Sequence, residues 1–153
     1  MDVPKDVSDT QPLSDSQCHD FLSGLGQVHW PVNHLLPSKA YEVSSVAQHG
    51  RDDLKVMHLK ELNTVIKGVL NAKMSGDACL VIRPVDLENL LVMTSFYASF
   101  AEEVGMKSQA GFVSYLTSVK VLEGPQVCSM VEFHSGTVPR VVKSTVAAES
   151  ASL

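Results

Sequence analysis

A chain of 153 residues with 44% apolar and 19% charged side chains has the length and balance needed to bury a core. Its net charge of −5, with most of the negative excess in the first third, forms no basic stripe, which argues against nucleic acid as a partner. No window approaches the roughly 18 consecutive apolar residues of a membrane span, so a soluble chain with no membrane partner is expected.

Residues 1–13 are polar, acidic and proline-containing, and they lack a basic stretch followed by an apolar one. They read as a disordered lead-in and not as a signal peptide. The cysteines Cys18, Cys79 and Cys128 are odd in number and far apart, which suits reduced thiols in an intracellular, cytoplasmic setting. Ser14 and Gln17 have the spacing of a capping box, and Cys18, Phe21, Leu22 and Leu25 follow at helical intervals. A short helix over 15–24 is therefore predicted, ended by Gly24 and Gly26. From Gln27 to Gly50 the pattern is broken by Trp30-Pro31 and Leu36-Pro37-Ser38, with a short strand expected from Tyr41 to Val46.

The stretch from Asp53 to Gly105 holds most of the apolar residues and reads as helix, buried strand, helix. Leu54, Leu59, Leu62, Val65, Ile66 and Val69 share one arc of a helical wheel, which starts at Asp52 or Asp53 and ends in a left-handed cap at Gly76. Ala78 to Ile82 is a short apolar run bounded by Gly76 and Pro84, as in a strand covered on both faces. Asp86 is then placed to cap a helix over 87–104. Its apolar face spans well over half the wheel, broader than contact with one sheet requires. Residues 112–122 suit a helix by the spacing of Phe112, Tyr115, Leu116 and Val119 and a strand by their Val, Thr and Tyr content, and a helix to about Ser118 is favoured. Residues 126–133 and 138–146 are predicted strands joined by a turn at His134-Ser135-Gly136-Thr137, with Pro139 marking an edge strand. The last residues, 147–153, read as a frayed tail. The fold class expected is α+β: a single domain over 14–146, with helices packed on a small antiparallel or mixed sheet of three to five short strands.

Chemistry-bearing motifs are sparse. A Gly-x-Ser-x-Gly elbow is absent, and Gly24-Leu25-Gly26 is not placed between a strand and a helix as a phosphate cradle would be. Cys79 and Cys128 read as small buried hydrophobes within strands. The sequence therefore points to a non-enzymatic interaction or structural protein without a cofactor, assembling with itself or another protein through the helix at 87–104. Met93, Phe96 and Phe100 supply large adaptable apolar side chains, Glu102 and Glu103 an acidic rim, and Trp30 an anchor. Arg83, between a strand and a helix, is a candidate ligand contact. An alternative from another class is a small metal-dependent regulator or enzyme using Cys18, His19, His29 and His34, since a thiolate and imidazoles make a plausible zinc set.

Overall fold

A computed structural model describes Met1, residues 7–103 and 107–138, and Ser144, with the side chains of 100–103 outside the description. The fold class is α+β, with helices first and an antiparallel sheet after them. The chain divides into two compact units, Met1–Ala78 and Cys79–Leu153. Among the described residues, no helix is long and apolar enough to cross a membrane.

In the helical unit, α1 runs Asp15–Leu35, α2 Ala40–Val46 and α3 Val56–Ser75. The predicted capping box forms: Ser14 Oγ accepts the Gln17 N–H at 3.3 Å, and Gln17 Oε1 accepts the Ser14 N–H at 3.0 Å. The helix does not stop at Gly24, however. It continues past Gly26 and through Pro31, because Cys18, Phe21, Val28 and Val32 extend one buried stripe at helical spacing. Each glycine costs about 1 kcal/mol of propensity, and burial of that stripe outweighs it.

The strand expected at 41–46 is the helix α2. Ala40, Val43 and Val46 are buried and Tyr41 is exposed. A strand would put Tyr41 and Val43 on the same face, so only helical spacing satisfies this burial. The helix α3 starts at Val56 with Lys55 as its cap, two or three residues beyond the predicted cap at Asp52 or Asp53, because Arg51–Asp53 forms a separate 3₁₀ turn. It ends as predicted, with Gly76 left-handed at φ 81° and the Asp77 N–H donating to the Ala72 carbonyl at 2.9 Å. Part of the N-terminal stretch supports the other end of this helix. Carbonyls of Gln11 and Asp9 accept the N–H groups of Val56 and Met57, each at 3.0 Å, which have no partner within the first turn. Asp9 also pairs with Lys60 at 2.6 Å. The core of this unit consists of Phe21, Val32, Val43, Leu54, Leu59 and Leu62, each at most 2% exposed.

The second unit departs most from the predicted elements. Ala78–Ile82 forms no strand, and Val81 and Ile82 are exposed. A β-branched run favours extended backbone but becomes a strand only where a partner completes its ladder. Asp86 does cap, accepting from Glu88 N–H at 3.1 Å and Asn89 Nδ2 at 2.8 Å, but the turn leads into a strand. That strand, β1 (Leu90–Glu103), replaces the predicted helix at 87–104, and β2 (Lys107–Ser118) replaces the predicted helix at 112–118. β3 covers Ser129–Thr137.

Among the described residues the sheet is three-stranded and antiparallel in the order β1-β2-β3. Its register places Met93 opposite Tyr115 and Phe96 opposite Phe112, cross-strand pairs that favour this arrangement. β3 runs straight through His134–Thr137, where a turn was predicted, with Gly136 opposite Ala110 and Ser135 opposite Gly111. A Cβ at Gly111 would meet the His134 carbonyl oxygen at 2.9 Å, so glycine permits the close approach of β2 and β3 there. The predicted second hairpin strand, Pro139 and the tail lie outside the described residues, apart from Ser144. Where the register slips, Ser114 pairs with Glu132 and Tyr115 with Met130, leaving Val131 as the extra residue of a bulge.

Candidate functional site

The sequence-predicted interface falls on β1, and the strand rearranges it. Successive side chains of a strand project to opposite faces, so Met93 and Phe96 no longer share a flank as they would on a helix. Leu90, Val92, Thr94 and Phe96 lie on one face, Leu91, Met93, Ser95 and Tyr97 on the other. Phe96 begins an aromatic row across its face, with ring centroids 6.2 Å from Phe112, which in turn lies 6.0 Å from His134. On the same face Thr94 Oγ1 and Ser114 Oγ are hydrogen-bonded at 3.0 Å.

From Val92 to Tyr97 exposure is high on both faces of β1, and it ends at the buried Ala98. Val92 is 60% exposed and Tyr97 73%, with Phe96 and Met93 also partly open to solvent. From Leu90 to Ser99 the strand carries no charged residue, no proline and no glycine. Among the described residues, only β2 pairs with β1, which makes it an edge strand. Open edges are normally guarded by lysines, prolines, bulges or a short strand. Here the residues up to Ser99 have an unbroken register with β2, and the irregularity comes between Ser99 and Glu103. The side chains of Phe100, Glu102 and Glu103 lie outside the described residues, so the acidic rim carries no geometry here.

Trp30 stands in the helical unit on α1, 62% exposed, stacked on His34 with centroids 4.7 Å apart. The His34 Nδ1–H donates to the Trp30 carbonyl at 2.8 Å, one helical turn back. His29 is engaged by Asn33, whose Nδ2 lies 3.1 Å from Nε2. Cys18 is buried with its thiol directed at the Leu13 carbonyl at 3.9 Å, and His19 is exposed. All four residues of the alternative metal set lie on α1, and the rise from Cys18 to His29 is about 16 Å along the helix axis. The helix therefore does not bring them together. Among the described residues, no three His, Cys, Asp or Glu side chains are gathered where a metal could be held.

Arg83 does not stand between a strand and a helix. Its backbone is held by Ser129, whose Oγ accepts the Arg83 N–H at 2.8 Å and donates to the Arg83 carbonyl at 3.0 Å. Cys79 is exposed and Cys128 is half-buried just ahead of β3, which corrects the reading of both as buried strand residues.

Among the described residues, two groups have displaced pKa values. The Asn89 hydrogen bond lowers that of Asp86, and burial followed by the neighbouring His49 lowers that of His58. Neither lies on β1. The arrangement of β1 is thus suited to pairing with another strand, through backbone groups on its open edge and alternating apolar side chains. The one signal in the sequence for this geometry was the over-wide apolar arc, which is what results when a strand with two apolar faces is drawn on a helical wheel.

No protein-family model matches this chain, and neither does any curated protein or solved structure.

Proposed function

We propose that this protein is a non-enzymatic assembly protein that associates with a second copy of itself through β1. The reading rests on one observation: the edge from Leu90 to Ser99 is long, uncharged and unpaired among the described residues, and its side chains from Val92 to Tyr97 are exposed. An antiparallel pair of β1 strands from two copies gives a closed two-fold contact, in which every residue meets an equivalent apolar or hydroxyl-bearing stretch and no like charges face each other. Such a contact joins two three-stranded sheets into one continuous sheet and covers the edge that each leaves open.

The test is the solution mass by light scattering at micromolar concentration, for the full chain and for the double substitution Val92→Lys and Tyr97→Lys. Both side chains are mostly exposed, so the lysines are compatible with the fold. They also add the edge charges that block strand pairing. A dimer that becomes a monomer with an unchanged far-ultraviolet spectrum is expected. A parent chain that is monomeric across the micromolar range overturns the proposal, and so does a dimer indifferent to the two lysines.

A further inference from the structure

The helical unit carries a second feature, separate from β1: a cleft of about 460 Å³, within the size range of small-molecule sites. On α1 it is lined by Gly24, Gln27, Val28, Pro31 and Leu35. Gly24, Val28, Pro31 and Leu35 follow at intervals of four, three and four residues with Gln27 beside Val28, a stripe about 16 Å long on a helix rising about 1.5 Å per residue. On α3 the lining residues are Ile66, Val69, Leu70 and Lys73, again one helical stripe. The cleft is thus a furrow along helix surfaces with aliphatic walls. Gly24 keeps one wall low, since a Cβ there would meet Ile66 Cδ1 at 3.6 Å and the Met1 side chain at 3.2 Å.

The lining chemistry narrows the occupant. Among the described residues the wall carries no aromatic side chain to stack on a flat ring, whereas aliphatic stems in a furrow suit an unbranched hydrocarbon chain. Among the described lining residues there is no carboxylate, and the exposed ammonium of Lys73 is the only charge. A ligand with one apolar tail and one anionic head matches both features. We propose that this cleft binds the anion of a long-chain fatty acid, with its tail along the α1 and α3 stripes and its carboxylate at Lys73, Gln27 being the other polar side chain on the wall.

The proposal is tested on the full chain with palmitate and, as a control of equal length, hexadecanol, following 1:1 complexes by native mass spectrometry and affinity by the fluorescence of Trp30, which neighbours Pro31. Saturable binding of one palmitate is expected, with hexadecanol weaker by about tenfold, the value of one charge-assisted contact. Lys73→Glu should weaken palmitate by at least that factor and leave hexadecanol unchanged. Val69→Trp, which fills the furrow, should remove both. Lys73 is exposed, so its variant tests the head-group assignment even if the tryptophan variant fails to fold. Failure of the parent chain to bind palmitate saturably overturns the proposal. Equal affinity for the alcohol, or palmitate binding indifferent to Lys73→Glu, overturns it as well.

Discussion

Adjacent residues on α1 give a sharp test of how the helical unit is held together. Phe21 is fully buried, whereas its neighbour Leu22 is 44% exposed. Truncating a buried phenylalanine to alanine removes its transfer free energy and leaves a cavity that the surroundings fill only in part, a loss of about 3–5 kcal/mol. A unit of this size has a total stability on the order of 4–12 kcal/mol. Phe21→Ala therefore removes a large share of it. Leu22→Ala removes a side chain already half in water and should cost about 1 kcal/mol or less. Amide hydrogen exchange followed on peptides from α1 and α3 reads both effects. Since about 1.4 kcal/mol corresponds to about tenfold in the opening equilibrium, Phe21→Ala should accelerate the slowest amides by roughly two to three and a half orders of magnitude. Equal acceleration by the two substitutions would refute the buried stripe along α1, and with it the account of why the helix continues past Gly24.

Two glycines with equally open surroundings should respond to alanine with opposite signs. No heavy atom outside the local backbone lies within 4 Å of a Cβ built at Gly26 or at Gly76, but Gly26 is inside α1 and Gly76 is left-handed at φ 81°. Gly26→Ala should raise stability by about 0.5–1 kcal/mol and Gly76→Ala should lower it by about 1 kcal/mol, shifting the thermal midpoint by roughly 4–8 °C per kcal/mol. Matching shifts of one sign would show that the left-handed cap does not govern the response. His58 makes stability depend on pH. It is buried, stacks on His49 with centroids 3.8 Å apart, and its Nδ1 accepts the Lys55 N–H at 3.2 Å, with Lys55, Glu61 and Asp53 as the other charges acting on it. Burial and His49 lower its pKa below 6.5, so the unfolded chain takes up the proton first. Its contribution is complete above pH 6.5 and is lost as the pH falls through 6.5 toward the lower folded value. His58→Gln keeps an acceptor at the third helical position and removes the titration. The acid-side loss of urea stability should become shallower in this variant; an unchanged slope would exclude His58 as its source.

Several parts of the fold were legible in the sequence because a few neighbouring residues decide them. Ser14 and Gln17 close a capping box in a single turn, and Gly76 ends α3 because it alone takes a left-handed backbone without strain. Leu59, Leu62 and Val65 buried one stripe as their spacing required. The fold class followed from the same signals together with the β-rich composition of the later residues. The site was legible only in part. The broad apolar face read over 87–104 drew attention to this segment, but its assignment to one helical flank put Met93 and Phe96 on a common surface, and the strand separates them.

What only the tertiary structure decided are the choices that depend on residues distant in sequence. Leu90–Glu103 and Lys107–Ser118 each match helical spacing about as well as alternation, and both become strands because each supplies the other's ladder, with Phe96 meeting Phe112 and Met93 meeting Tyr115. Ala78–Ile82 has stronger local β character and remains irregular, because among the described residues no strand pairs with it. Likewise α1 passes Gly24, Gly26 and Pro31 because Val28 and Val32 are buried in the unit whose core also holds Val43, Leu54 and Leu62. Caps and turns depend on bonds a few residues long and can be read from the chain itself. Pairing and burial are completed by distant segments, so the same local pattern has no fixed meaning until those segments are in place.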